Sequence, residues 1–430
     1  MRRLPVIIGL ALAVFVRPAA EAQSADPFQW SRANPIGQTV ANRPRPELDP
    51  LGIRAGSFRF YPSLTVETEY EDNVFRSERD RVGDLAITAA PRMTLKSDWN
   101  NHALEITADA ALRRQVTESS LDRNDFGIEA KGRLDIRRDA SISSSASLRR
   151  RHESLTSPDA GGANSPVQYD TAAVGLVGDK RFGRFSARAE LAGERLDYRD
   201  SVRALTGAPI NQDDRDRSVG RAALRGGYEI SRQSEAYVRA EANVSDYRSK
   251  VDDGGFARSS SGVDLRAGAK LDLAGRAVAD VYIGYRGQYY DDDGARRLNT
   301  DRVEALALGA DVTANVTRLT TVNAGLRRDI FETTLPGSPG GVRTQADFGV
   351  DHELLRNLLL TGSVAGRVFQ FEGADRDDYG LLVQFGAAYR MNRHLTLEGA
   401  LEHETYSSTG GAAGADSASN RIMLRLKTDP

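Results

Sequence analysis

The chain has no cysteine among its 430 residues. That removes disulfides, thiolate metal sites and cysteine nucleophiles together. It has no excess of either charge, with 58 Lys+Arg against 60 Asp+Glu, whereas a nucleic-acid binder carries a basic footprint. Histidine is scarce. The five, at 102, 152, 352, 394 and 403, form no H-x-x-x-H or similar ligand pair. The chain beyond residue 22 holds no apolar run near the 18 residues of a transmembrane helix.

Other chemistries are missing as well. "ASISSSASLRR" (140–150) lacks a nucleophile elbow, and "GGAAGAD" (410–416) lacks the lysine and the strand-to-helix context of a phosphate cradle. The acidic runs "YYDDDG", "VDDGG" and "GADRDD" do not match the spaced ligands of a calcium loop and read as solvated loop tips. No catalytic, cofactor-binding or metal-binding residue is expected, and the chain reads as non-enzymatic.

What is present begins with a targeting segment. Arg2 and Arg3 precede a short apolar core, Leu4 to Val16, and Ala20-Glu21-Ala22 fits a cleavage signal. Residues 1–22 are therefore expected to be a signal peptide. Residues 23–57, rich in Pro, Asn and Arg and without periodicity, read as an irregular arm. It is a leader into the first strand, a plug, a tether or a docking peptide.

From Phe58 to the end, apolar and polar residues alternate. "DYGLLVQFGAAYRM" puts Tyr379, Leu381, Val383, Phe385, Ala387, Tyr389 and Met391 on one face. "SGVDLRAGAKLDL" opposes Val263, Leu265, Ala267, Ala269, Leu271 and Leu273 to Asp264, Arg266, Lys270 and Asp272. Period-two alternation sustained for on the order of twelve to fifteen residues is a strand long enough to cross a bilayer. There are about eighteen such runs, an even number as single-chain barrels have. "TAAVGLVG" (171–178), apolar on both faces, is the weakest of them.

The connections alternate strictly between short ("RRD", "SRQ", "AGR") and long ("TSPDAGGANSP", "DSVRALTGAPINQDDRD", "SKVDDGGFARS"). Outer-membrane barrels have short periplasmic turns and longer extracellular loops. Tyr70, Tyr198, Tyr247, Tyr289, Tyr290, Phe331 and Phe371 stand where strands enter long loops and read as an aromatic girdle. The expectation is an all-β transmembrane antiparallel up-and-down barrel of 16–18 strands over residues 58–430, wide enough for an aqueous lumen. Arg133, Arg188, Glu190, Arg225, Arg239, Glu241 and Arg266 fall on its polar, inward row and are the pore-lining candidates. Only one connection, 197–217, is long enough for an inward-folding constriction loop, and it carries no clear signature of one.

"FRFYPSLTVETEYEDNVFRS" (58–77) and "ITAAPRMTLKSDWNNHALEITADA" (87–110) resemble the opening of a β-barrel porin family of Gram-negative outer membranes. Members of that family are often associated with exopolysaccharide production and export. The resemblance covers residue 58 onward. It implies an outer-membrane channel that lets a secreted polysaccharide cross, in contact with membrane lipid and lipopolysaccharide and with a periplasmic export protein as partner. A general diffusion porin for small hydrophilic solutes is the alternative. The terminal "RIMLRLKTDP" departs from the aromatic last residue of many such barrels.

Overall fold

A strand with one apolar and one polar face is stable when the sheet curls so that one face meets lipid and the other meets the interior. In the computed structural model, which describes residues 39–153, 155, 157, 159, 165–202, 208–231, 233–273, 275–291 and 293–429, this is the arrangement. Eighteen long strands follow one another: β1 Phe58–Glu71, β2 Asp84–Ser97, β3 Ala103–Gln115, β4 Arg123–Arg137, β5 Ala140–His152, β6 Gln168–Phe182, β7 Phe185–Tyr198, β8 Arg217–Ser231, β9 Ser234–Tyr247, β10 Ser260–Leu273, β11 Ala277–Tyr290, β12 Arg302–Thr317, β13 Thr320–Glu332, β14 Gly340–Leu355, β15 Leu358–Glu372, β16 Asp377–Arg390, β17 Leu395–Thr409 and β18 Ser417–Thr428. Each pairs antiparallel with the next, and β18 returns to β1 through Leu64↔Thr428 to Glu71↔Arg421. The sheet closes on itself as an 18-strand barrel, with β12 paired to β13 only from Leu308 onward. The expected signal peptide and arm residues 23–38 lie outside the described residues.

Large apolar side chains cover the outside: Val174, Leu191, Leu224, Val238, Leu265 and Phe385 are all exposed. The doubtful run at 171–178 resolves into β6, with Val174 and Leu176 outward and Val177 buried inward.

The aromatic girdle needs correction. Tyr70 and Tyr289 are exposed on the outer face as expected, but Tyr198, Tyr247, Tyr290, Phe331 and Phe371 are buried. The cause is parity. On β9 the outward row is Val238, Val244 and the other even positions, so odd Tyr247 points inward. The five pack beneath the long loops instead. Tyr198 stacks on Tyr169 with ring centroids 5.5 Å apart, and Phe331 meets Phe369 and Phe371 edge-on at 5.2 and 5.0 Å.

The closing seam has the fewest backbone rungs to spare, and ion pairs on its inner face reinforce it. Arg421 contacts Glu402 and lies 3.0 Å from Glu404; Arg425 contacts Glu67; Arg76 lies 2.8 Å from Glu71 and 3.2 Å from Glu404; Arg113 lies 2.6 Å from Glu69. Arg421→Ala leaves Glu402 and Glu404, both buried, short of a cation, at a cost of about 3–5 kcal/mol. The expected result is a lower temperature at which the barrel loses its compact, detergent-resistant gel mobility, with Arg421→Lys intermediate.

Candidate functional site

The strand register builds an ordered inner wall. Arg188 on β7 opposes Arg225 on β8, Arg225 opposes Arg239 on β9, and Arg239 opposes Arg266 on β10. Four arginines thus occupy one rung across four successive strands. Like charges placed directly opposite destabilise a sheet, so this row needs compensation. Two residues along, toward the long loops, Glu190, Glu241 and Asp264 form a carboxylate row, with Glu241 directly opposite Asp264. Arg188 lies 2.6 Å from Glu190, Arg239 lies 2.8 Å from Glu190 and 2.6 Å from Glu241, and Arg266 binds Asp264 through two nitrogens at 2.6 and 2.7 Å. Arg286 adds a second cation to Asp264 at 2.5 Å.

The rung on the other side of the arginines alternates ring and glycine: Gly227, Tyr237, Gly268, Tyr282 and Gly309 stand opposite one another in turn. A Cβ on Gly268 would strike the Tyr237 ring, and one on Gly309 the Tyr282 ring, so each tyrosine lies across the glycine of the next strand. Arg225 then caps Tyr237 at 4.0 Å and Arg266 caps Tyr282 at 4.5 Å.

Six of the seven pore-lining candidates therefore come together on β7–β10. Arg133 does not: it sits on β4 near the short-turn end, 2.8 Å from Asp135. Glu235, 3.3 Å from Arg225, and Asp179, 3.4 Å from Arg188, bring the carboxylates of this group to five against its five arginines, so the wall offers ionised donors and acceptors at high density without a net sign. Such a surface hydrogen-bonds hydroxyl-rich solute and does not select strongly for anions. Among the described residues no cluster of three or more His, Asp or Glu side chains could hold a metal ion.

Both mouths are narrowed. At the long-loop end the obstruction among the described residues is the β13–β14 hairpin; residues 203–207 of the 197–217 loop lie outside the described residues. Ile330 and Val342, outward by alternation, pack on Tyr290, Val303 and Ala305, which line the inner face of β11 and β12. The end of the hairpin has therefore folded into the lumen. Gly340 at φ +156° and Gly341 permit the bend, since a Cβ on either would strike the Phe331 or Gln370 carbonyl.

Glu332 at its tip accepts from Ser245 at 3.3 Å, Tyr247 at 3.1 Å and Ser260 at 3.1 Å, with Arg217 at 3.4 Å, all on β8–β10. Arg258, 2% exposed, ties the tip to the 248–259 loop by donating to the Thr333, Leu335 and Ser338 carbonyls while paired with Asp252 at 2.6 Å. Asp159 in the β5–β6 loop accepts from Thr333 at 2.6 Å and from the Thr334 backbone at 3.0 Å. That contact reaches from β5–β6 to β13–β14, nearly across the mouth.

At the short-turn end, described residues of the arm form a strap. From β1 it passes Arg390 on β16 (Asp49, 3.1 Å), Arg356 in the β14–β15 turn (Glu47, 2.7 Å) and Glu353 on β14 (Arg45, 2.6 Å). It ends with the Val40 amide donating to Thr321 of β13 at 2.9 Å. Val40, Arg45 and Thr321 are almost fully buried. The strap thus follows the periplasmic rim from β1 to β13, six strands on.

Residues 45–429 match the family described as "Putative beta-barrel porin 2". The chain belongs to that family. This porin resides in the outer membrane of a Gram-negative bacterium, with the short turns periplasmic and the long loops extracellular. Among solved structures, it resembles three from Pseudomonas aeruginosa. The outer membrane protein OpdK is 11% identical, covering 86% of this chain and 99% of that one, with a TM-score of 0.46. OccK3 (OpdO) is 13% identical, covering 86% and 96%, at 0.44. The ferric enterobactin receptor PfeA is 8% identical, covering 86% and 80%, at 0.44. These distant likenesses transfer no substrate. No curated protein matches the sequence.

The extracellular roof of this porin carries a pH-sensitive group. Burial, with Asp253 and Asp252 nearby, pushes the Asp214 carboxyl up to about 6. A raised folded value means its contribution to stability is complete below the ordinary 3.8 and is lost as pH rises through about 6. Raising pH from about 5 to about 7 is expected to loosen the roof and increase opening events in single-channel records, and Asp214→Asn to flatten that dependence.

Proposed function

We propose that this porin is a non-enzymatic conduit through which a secreted polysaccharide crosses the outer membrane, fed by a periplasmic export protein. The observation that carries the reading is the pairing of a wide barrel with two narrowed mouths. A general diffusion porin works by standing open. An exporter of long chains must seal between substrates, and the inward hairpin and the periplasmic strap stand where such seals are needed. The inner wall suits the cargo, because interleaved arginines and carboxylates give a sugar polymer many exchangeable hydrogen bonds and no single deep trap. Family membership agrees with a channel and leaves its cargo open.

Deletion of the gene tests the reading. Polymer is expected to remain cell-associated while its synthesis continues, and a plasmid copy to restore release. Unchanged surface polysaccharide would reject it, and a large, steady conductance with rapid uptake of small sugars would favour the diffusion porin.

A further inference from the structure

The inward fold of the β13–β14 hairpin leaves a consequence in the wall. β11 and β12 stay paired up to Tyr289↔Arg302, and β13 and β14 up to Glu332↔Gly340. Between β12 and β13 the ladder stops at Leu308↔Arg328. Residues 302–307 of β12 thus have no strand partner on that side, over about 20 Å of strand at roughly 3.4 Å per residue. They lie in the extracellular half of the wall, where unpaired backbone facing lipid is costly.

The gap is closed by side chains. Ile330 packs against Val303, Ala305 and Tyr290, so it can part without breaking a backbone hydrogen bond. Outside it, Leu306 is exposed to lipid. Above Leu306 lies a polar patch on the same outer face, where Tyr285 donates to Glu304 at 2.7 Å, Tyr285 and Tyr289 share a hydrogen bond at 2.9 Å, and Arg302 stands 4.0 Å from Glu304. An apolar slot beneath a hydroxyl- and charge-bearing rim matches a molecule with an acyl chain and a polar head.

We propose that the β12–β13 slot is a lateral portal joining the lumen to the outer leaflet, and that it takes an amphipathic glycolipid, head toward the rim and chain toward Leu306 and Ile330. This goes beyond polymer export and does not depend on it. The wall seals when Ile330 is seated and opens when the hairpin moves.

The probe is a dodecyl maltoside carrying a photoreactive diazirine on its chain, added to the purified full-length protein in phospholipid vesicles. Mass spectrometry locates the cross-links. The expected result is labelling concentrated at residues 302–308 and 328–332, including inward Ala305. In an Ala305→Cys/Ile330→Cys variant, bridging the slot with a short bis-methanethiosulfonate linker, which joins each thiol through a disulfide, abolishes that labelling, and reductant restores it. The absence of native cysteine makes the bridge specific. Labelling spread evenly over the lipid-facing strands, as strong at Leu265 or Phe385 as at the slot, would overturn the proposal. So would slot labelling that the bridge leaves unchanged.

Discussion

Arg258→Ala is expected to turn a mostly silent barrel into a conducting one. The guanidinium is buried between the 248–259 loop and the hairpin tip, holding Asp252 and three backbone carbonyls. Its removal strands a buried carboxylate and frees the tip, at a cost of about 3–5 kcal/mol when a buried pair loses one member. The strand ladders below do not depend on it, so the loss falls on the roof and not on the barrel. Planar-bilayer recording should show frequent, long openings where the parent shows few. Arg258→Lys keeps the charge but not the fork that reaches three acceptors, and should fall between. A parent-like silent record from a folded Arg258→Ala barrel would remove the hairpin from the gating account.

The second large effect is expected at the other mouth. Arg45 and Glu353 pair at 2.6 Å with side chains only 3% and 7% exposed. Arg45→Ala leaves Glu353 with Arg43 alone, 3.4 Å away, and should release the strap, again at about 3–5 kcal/mol. The readout is accessibility from the periplasmic side. A cysteine placed at Thr321, now covered by the strap, should react with a charged maleimide far faster in Arg45→Ala. Exchanging the pair as Arg45→Glu/Glu353→Arg should restore protection. Equal reactivity in all three would mean that the strap does not cover the mouth.

Much of this was legible in the sequence. Alternation marks the strands and their outer faces, and the short and long connections give the sidedness, because both follow from one physical demand: a two-faced strand crossing lipid. The pore-lining candidates fall on the inward rows of their strands for the same reason. What alternation does not contain is register. That Arg188, Arg225, Arg239 and Arg266 share one rung depends on strand offsets set by turn geometry.

The buried aromatics could have been found by parity, since Tyr247 and Tyr290 fall on the inward rows of their own strands. The inward hairpin left a weaker trace. Ile330 and Phe331 are adjacent and apolar, which a strand with one wet face does not need, and Gly340-Gly341 follow. The contacts of Glu332, Arg258 and Asp159 join loops far apart in sequence and leave no local pattern. The strap was open to several readings because an irregular segment has no periodicity to show what it lies against.

The account turns on a barrel that is closed at rest and opened on demand. The most direct measurement is the single-channel record of the purified, unmodified protein in a planar bilayer, with no partner present. The account predicts a predominantly closed trace with brief openings. A large, steady open conductance from the moment of insertion would contradict it.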